Sequence, residues 1–218
     1  MFGKDEQATI GGLDVTIGAK RLEGLLAVPD DARGIVIFAH GSGSSRLSPR
    51  NAHVAKALNT RRLVTLQFDL LTEFEALDRA NVFNIPLLGE RVMETVRWAG
   101  SEETTRTLAI GLFGASTGAA AALHAAAALP EDVAAVVSRG GRPDLAESML
   151  GKVRAPTLLI VGGADSLVIE LNEQAYARLA CEKQLLIVPG ASHLFEEPGT
   201  LDRVVDAAGD WFEKHLQS

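Results

Sequence analysis

The 218-residue chain has a single cysteine, Cys181, which rules out an internal disulfide framework and any cysteine-based zinc site. Basic residues are in deficit: 21 Lys and Arg stand against 28 Asp and Glu, a net charge of −7. Nucleic-acid binders normally carry a basic stripe, so this balance argues against that class. Aromatic residues make up only 5% of the chain, yet 47% of all residues are hydrophobic, which excludes a disordered polymer. No stretch approaches the ~18 apolar residues of a membrane span. The richest window, Gly118 to Leu129, is mostly alanine and is interrupted by His124, so it reads as a buried helix. Carboxylates at Asp5 and Glu6, with no apolar segment behind them, are wrong for a secretory signal. The expectation is a cytoplasmic protein with a small-molecule substrate and neither a nucleic-acid nor a membrane partner.

Length suits one domain spanning residues 1–218. Short β-rich runs alternate with helical runs, the signature of an α/β fold with a mostly parallel sheet. The start differs: Ala8–Ile17 and Arg21–Val28 flank Gly18-Ala19-Lys20 and predict an antiparallel hairpin at the sheet edge. Gly34–Ala39 is continuously apolar, as expected of a strand covered on both faces. Further strands are predicted at Leu63–Phe68, Thr107–Phe113, Val133–Val137, Thr157–Val161 and Gln184–Val188. Helices are predicted at Pro49–Thr60, Leu87–Trp98, Thr117–Leu129, Ile169–Ala180 and Leu201–Leu216. The acidic stretch Thr72–Asp78 reads as a solvated loop, with a small flap as the alternative. About eight strands with helices on both faces account for the whole chain.

The segment Gly114-Ala115-Ser116-Thr117-Gly118 matches G-x-S-x-G between an apolar strand and an alanine-rich helix. That motif makes a sharp strand-to-helix turn and holds its serine in a strained conformation. Taken alone it also fits a serine in an ordinary βα turn. A serine hydroxyl is a poor nucleophile until a histidine accepts its proton and an acid orients that histidine. Both partners should follow on loops after later strands. Asp165 ends the run Gly162-Gly163-Ala164-Asp165, and His193 ends Pro189-Gly190-Ala191-Ser192-His193. Each lies just beyond a predicted strand C-terminus, where open α/β sheets place their sites. Asp144, after the preceding strand, is the second candidate acid. His53, His124 and His215 fall in helices and read as structural or surface residues.

An acyl-transfer site also needs donors for the oxyanion. The residue after the nucleophile, Thr117, supplies one backbone N–H, and the loop His40-Gly41-Ser42-Gly43-Ser44-Ser45 supplies the other, best assigned to Ser42. A phosphate cradle is the competing reading of that loop. It fails because neither G-x-G-x-x-G nor G-x-x-x-x-G-K-[ST] occurs, which also removes a nucleotide-binding Rossmann protein.

Together these residues resemble a small α/β-hydrolase of the dienelactone-hydrolase-like group, and the resemblance runs along essentially the whole chain. Three segments carry it most specifically: HGSGSSRLSPRN (His40–Asn51), SRGGRPDLA (Ser138–Ala146) and SHLFEEPG (Ser192–Gly199). Similar modules occur alone or beside phosphoribosyltransferase domains. True dienelactone hydrolases use a cysteine nucleophile, whereas the matching position here is Ser116. The resemblance therefore implies a serine hydrolase of carboxylic esters, thioesters or lactones, with Ser116, Asp165 and His193 as triad and no cofactor or metal. The alternative is a ligand-binding or partner module of the same fold with little or no turnover.

Two more expectations concern the substrate. Only Ser138 to Pro156 is available for a cap, so an open or shallow site taking short acyl chains is expected. Arg46 and Arg50 follow the oxyanion loop, and Arg139 and Arg142 follow the strand ending near Val137. These four could bind an anionic substrate group, or brace the loops by pairing with Asp69, Asp144 or Glu196.

Overall fold

The computed structural model describes residues 12–217. Positions 8–11 of the predicted first strand lie outside the described residues. Eight strands form one sheet in the order β1-β2-β4-β3-β5-β6-β7-β8. The strands are β1 Leu13–Ile17, β2 Leu22–Ala27, β3 Gly34–Ala39, β4 Leu63–Phe68, β5 Ala109–Ala115, β6 Val133–Arg139, β7 Thr157–Gly162 and β8 Lys183–Val188. β1 and β2 form the expected antiparallel edge hairpin, with Leu13 opposite Leu26, and β2 runs antiparallel to β4. All remaining neighbours are parallel.

Alternation along the central strands sorts the core into two layers. On β3, Ile35, Ile37 and Ala39 face the helices α4 Ile85–Ser101 and α5 Thr117–Ala128. Val36 and Phe38 face α1 Pro49–Thr60 and α8 Thr200–His215, where they meet Val54, Leu58, Val204 and Phe212. The Phe38 and Phe113 rings meet at 4.9 Å between centroids, so the two strands at the middle of the sheet are locked together. β4 lies on one side of β3 and β5 on the other, so the chain reverses direction across the sheet at β3. The crevice at such a reversal, beyond the strand C-termini, is where open α/β sheets bind ligands.

Several boundaries differ from the sequence reading for local reasons. β5 runs two residues further than expected, because Gly114 and Ala115 still pair with Ser138 and Arg139 of β6. α4 starts at Ile85, since the Asn84 side chain accepts a hydrogen bond from the Leu87 amide and Pro86 suits the first turn. The stretch read as a solvated loop is helical instead. Its two short helices are α2 Glu73–Ala76 and α3 Arg79–Val82. Thr72 and Glu75 form a reciprocal capping box, and Asp78 caps the second helix at the Ala80 amide. Between β6 and β7 the chain makes only a 3₁₀ turn, Pro143–Ala146, and one helical turn, α6 Glu147–Leu150. Among the described residues no cap domain covers the sheet. Helix α7 Ser166–Arg178 begins directly after Asp165.

Candidate active site

Ser116 stands between β5 and α5 at φ 51°, ψ −122°, a region that favours glycine. Its backbone is held there from both sides. Its carbonyl accepts from the Arg142 amide (3.1 Å), and its amide donates to the Arg139 carbonyl at 3.4 Å. Gly118 is required by packing, because a Cβ there would run into the Ala39 and His40 carbonyls at the end of β3. Gly41 is required for the same reason: a Cβ would lie 2.9 Å from the Ser116 Cβ. The oxyanion-loop backbone thus rests directly against the serine.

His193 and Asp165 meet as the sequence predicts. The imidazole Nδ1 lies 2.7 Å from Asp165 Oδ2. Their loops are tied together, with the Ala164 amide donating to the Ala191 carbonyl at 2.9 Å. Glu197 Oε2 accepts the Ser192 amide at 3.0 Å, and that bond lowers the Glu197 pKa while holding the histidine loop. Ser116 and His193 line one cavity of about 250 Å³ together with Ser42, Arg50, Asn51 and Arg139. Among the described residues no hydrogen bond joins the serine hydroxyl to the imidazole. Such catalytic contacts are often loose without substrate and tighten in the complex.

Ser42 also borders a larger cavity of about 650 Å³, which it shares with Thr117. Apolar walls come from Leu70, Leu71, Phe74, Val82 and Leu88, so the α2–α3 strap forms its outer side. As the first residue of α5, Thr117 has an amide with no acceptor within the helix. Ser42 lines both cavities, and Thr117 lines the larger one, next in the chain to Ser116 of the smaller.

His40 was not singled out from the sequence, although a histidine-glycine pair directly after a strand was the available signal. Its Nε2 accepts the Leu70 amide at 3.1 Å, so the imidazole is neutral and its Nδ1–H donates to the Gly41 carbonyl at 3.0 Å. Burial lowers its pKa, against the opposing pulls of the Gly41 bond and Asp69. The ring thereby ties the oxyanion loop to the end of β4. Asp144, the second candidate acid, is engaged elsewhere: Arg142 grips it through Nε at 2.8 Å and Nη2 at 2.7 Å. The other histidines sit in helices as expected. His53 pairs with Asp202, His124 packs on Gly89 and His215 lies against Trp211.

The four arginines separate. Arg46 holds Asp69 and Glu23, each at 2.5 Å, bracing the oxyanion loop against the neighbouring strands. Arg142 is occupied by Asp144. Arg50 reaches Glu196 at 3.3 Å, linking α1 to the histidine loop, and it remains on the cavity wall. Arg139 is on the same wall and meets only Asn51 Oδ1, at 3.4 Å. Cys181 lies beside Thr157 rather than in either cavity. Among the described residues no cluster of three His, Cys, Asp or Glu is placed to hold a metal ion.

A model of the dienelactone hydrolase family matches residues 72–217. The crystal structure of dienelactone hydrolase from Anabaena variabilis is 52% identical, with TM-score 0.91 over 94% of this chain and 97% of that one. A serine hydrolase without a lid from Xanthomonas campestris shares the fold at 20% identity, with TM-score 0.77 over 95% and 96% of the two chains. Proteins of two Mycobacterium tuberculosis strains, provisionally named phosphoribosyl transferases, are 55% identical over 94% of this chain. The chain spans 46% of the length of those relatives.

Proposed function

The chain belongs to the dienelactone hydrolase family, and on that footing we propose that it hydrolyses small carboxylic esters, thioesters or lactones through Ser116. His193 takes the Ser116 proton as Oγ attacks the carbonyl carbon. The tetrahedral oxyanion is held by the Ser42 and Thr117 amides. Collapse expels the alcohol, thiol or ring oxygen, which leaves with the proton from His193. A water then gives its proton to His193 and attacks the acyl-enzyme, releasing the acid and restoring the serine. Asp165 keeps the imidazole in the tautomer with Nδ1–H, through its 2.7 Å contact.

The observation that carries this reading is the strained Ser116 backbone, which local sequence does not require and which a nucleophile elbow uses to present its hydroxyl. The apolar group of the substrate lies under the strap, between Leu70, Phe74, Val82 and Leu88. A cavity of about 650 Å³ admits chains longer than the short acyl groups expected from sequence alone. The phosphoribosyl transferase name of the mycobacterial relatives does not alter the reading, since this chain matches less than half of them and lacks a phosphate-loop motif.

A fluorophosphonate probe tests it against the non-catalytic module. It should label wild type and not Ser116→Ala, and p-nitrophenyl esters from acetate to octanoate should be hydrolysed, with the optimum at a chain beyond acetate. Absence of labelling together with absence of ester turnover would sink the hydrolase reading.

A further inference from the structure

The outer wall of the larger cavity is not held by packing. Neither α2 nor α3 buries a residue, and Phe74, which lines the cavity, is itself 83% exposed. Polar contacts hold the strap instead, and they converge on Glu75. Its Oε1 accepts from Arg91 Nη2 of α4 at 2.9 Å and lies 3.7 Å from Lys20 Nζ, in the turn between β1 and β2. Its Oε2 accepts the Thr72 amide at 3.0 Å, and its carbonyl accepts Asn81 Nδ2 at 2.9 Å, which ties α3 to α2. Burial alone would raise the Glu75 pKa. The Thr72 amide, Arg91, the Thr72 hydroxyl and Lys20 outweigh it and hold the carboxyl below its ordinary value, so it is charged at neutral pH.

This ion pair differs from the others on the surface. The Arg91 and Glu75 side chains are 12% and 18% exposed, whereas the partners in Arg154–Glu131 and Lys214–Glu182 are all more than half exposed. Water screens the exposed pairs to near nothing, but a charged hydrogen bond in a sheltered place shifts a local equilibrium by roughly tenfold or more. Arg91 Nη1 also lies 3.7 Å from Glu94, and Glu94 holds the hairpin turn through the Ala19 amide at 3.0 Å. Strap, α4 and edge hairpin are thus joined through Lys20, Glu75, Arg91 and Glu94, none of which lines the larger cavity. These residues can act on a substrate there only through the strap.

We propose that Glu75 and Arg91 are positioning residues that set chain-length specificity: they latch the strap so that Phe74 and Val82 stand ready against an apolar chain of several carbons on the ester. The proposal rests on the hydrolase reading above and names what makes its larger cavity selective. An apolar chain lying there meets Phe74 and Val82 from the strap and Leu70 and Leu88 from the body of the protein. With the latch made, the wall is already in place when the chain arrives. With the latch broken, binding must also order the strap, and the contact returns less. A one- or two-carbon group covers little of that wall, so it gains little from the latch.

Two matched pairs test it: p-nitrophenyl octanoate against p-nitrophenyl acetate places the chain on the acyl side, and hexyl acetate against ethyl acetate places it on the alcohol side. In at least one pair wild type should favour the longer member in kcat/KM by about tenfold or more, the equivalent of covering one large apolar side chain. Glu75→Gln, whose amide still accepts the Thr72 N–H, should cut that preference about fivefold or more. The loss should appear in KM of the longer ester, with kcat and the shorter ester within about twofold of wild type. A merely structural role would lower kcat for both esters together. Arg91→Met should act like Glu75→Gln, and the double variant should lose no more than either single, because both act through one contact. Trypsin reads the strap directly, since Arg79 is an exposed residue of α3. The fragment ending at Arg79 should appear about tenfold faster in Glu75→Gln, while the melting temperature stays within about 4 °C of wild type. If Arg91→Met fails to melt cooperatively, Glu75→Gln decides alone. No wild-type preference for the longer ester, a preference that survives Glu75→Gln, or unchanged cleavage at Arg79 would each overturn the latch. If no ester is turned over at all, the hydrolase reading fails separately, and cleavage at Arg79 then decides whether Glu75 holds the strap.

Discussion

Replacing Ser116 by glycine should destroy activity and make the protein more stable. At φ 51°, ψ −122° the serine Cβ is crowded by its own backbone, and such a residue costs ~1–3 kcal/mol. Glycine removes that crowding but adds ~0.5–1 kcal/mol of chain entropy lost on folding. The difference favours the glycine variant by roughly 0.5–2 kcal/mol. In a domain of this size each kcal/mol moves the melting temperature by ~2–4 °C, so a rise of about 1–8 °C is expected. Alanine is the control, because it deletes the hydroxyl and keeps the Cβ. Ser116→Ala should therefore melt within about 1–2 °C of wild type. Calorimetry at one scan rate on the three proteins reads the stability order, and ester hydrolysis should fall by roughly 10³–10⁶ in both variants. A glycine variant that melts at or below the alanine variant would refute the idea that the backbone at Ser116 is strained to present a nucleophile.

Asp165→Asn should cut kcat by roughly 10³–10⁴ with little change in KM, since the amide favours the wrong imidazole tautomer while filling the same space. Retention of more than a tenth of wild-type kcat would remove Asp165 from the triad and reopen the choice of acid. The melting temperature should fall as pH drops from 7.5 to 5.5. Burial lowers the pKa of His40, His124 and His215, so the unfolded chain, where a histidine titrates near 6.5, takes up protons that the folded state resists. Their contribution is complete above about pH 6.5–7 and is lost progressively below it. At His40 protonation also turns Nε2 from an acceptor into a donor facing the Leu70 amide, so oxyanion-loop function should fail in the same direction. A melting temperature that holds steady or rises on acidification over that window would contradict this account.

That Ser116, Asp165 and His193 gather at one edge of the sheet was legible in the sequence because it depends on chain order. Ser116, Asp165 and His193 each follow an apolar run that ends in small residues, and in a parallel sheet every such end emerges on one edge. The Ser42 and Thr117 placements follow from the same logic. The sequence offers Asp69, Asp144 and Glu196 as possible braces for the arginine loops, and Arg46, Arg142 and Arg50 pair with them in that order. What the order of residues does not say is that Arg46 also takes Glu23, or that Arg139, among the described residues, is left with Asn51 as its side-chain partner. The α2–α3 strap was missed for a different reason. Its helices are one turn each, too short for a periodic signal, and their caps at Thr72 and Asp78 look like ordinary loop chemistry.

The strap and the wall that holds Arg139 give the strand ends two cavities of unlike chemistry. Among the described residues, a 3₁₀ turn and one helical turn follow β6, and two short helices follow β4. Leu70, Phe74, Val82 and Leu88 line the cavity that Thr117 borders, and Arg50, Asn51 and Arg139 line the one that Ser116 borders. The larger cavity also carries Glu23, Asp69 and Glu73 on its lining, whereas the smaller one carries two arginines and no carboxylate, so the two differ in charge as well as in apolar surface. Helix α1 gives Arg50 and Asn51 to the smaller cavity from its first turn, while the alternation along β3 separates the two packing layers: Val36 and Phe38 point to α1 and α8, and Ile35, Ile37 and Ala39 support the face that carries α5.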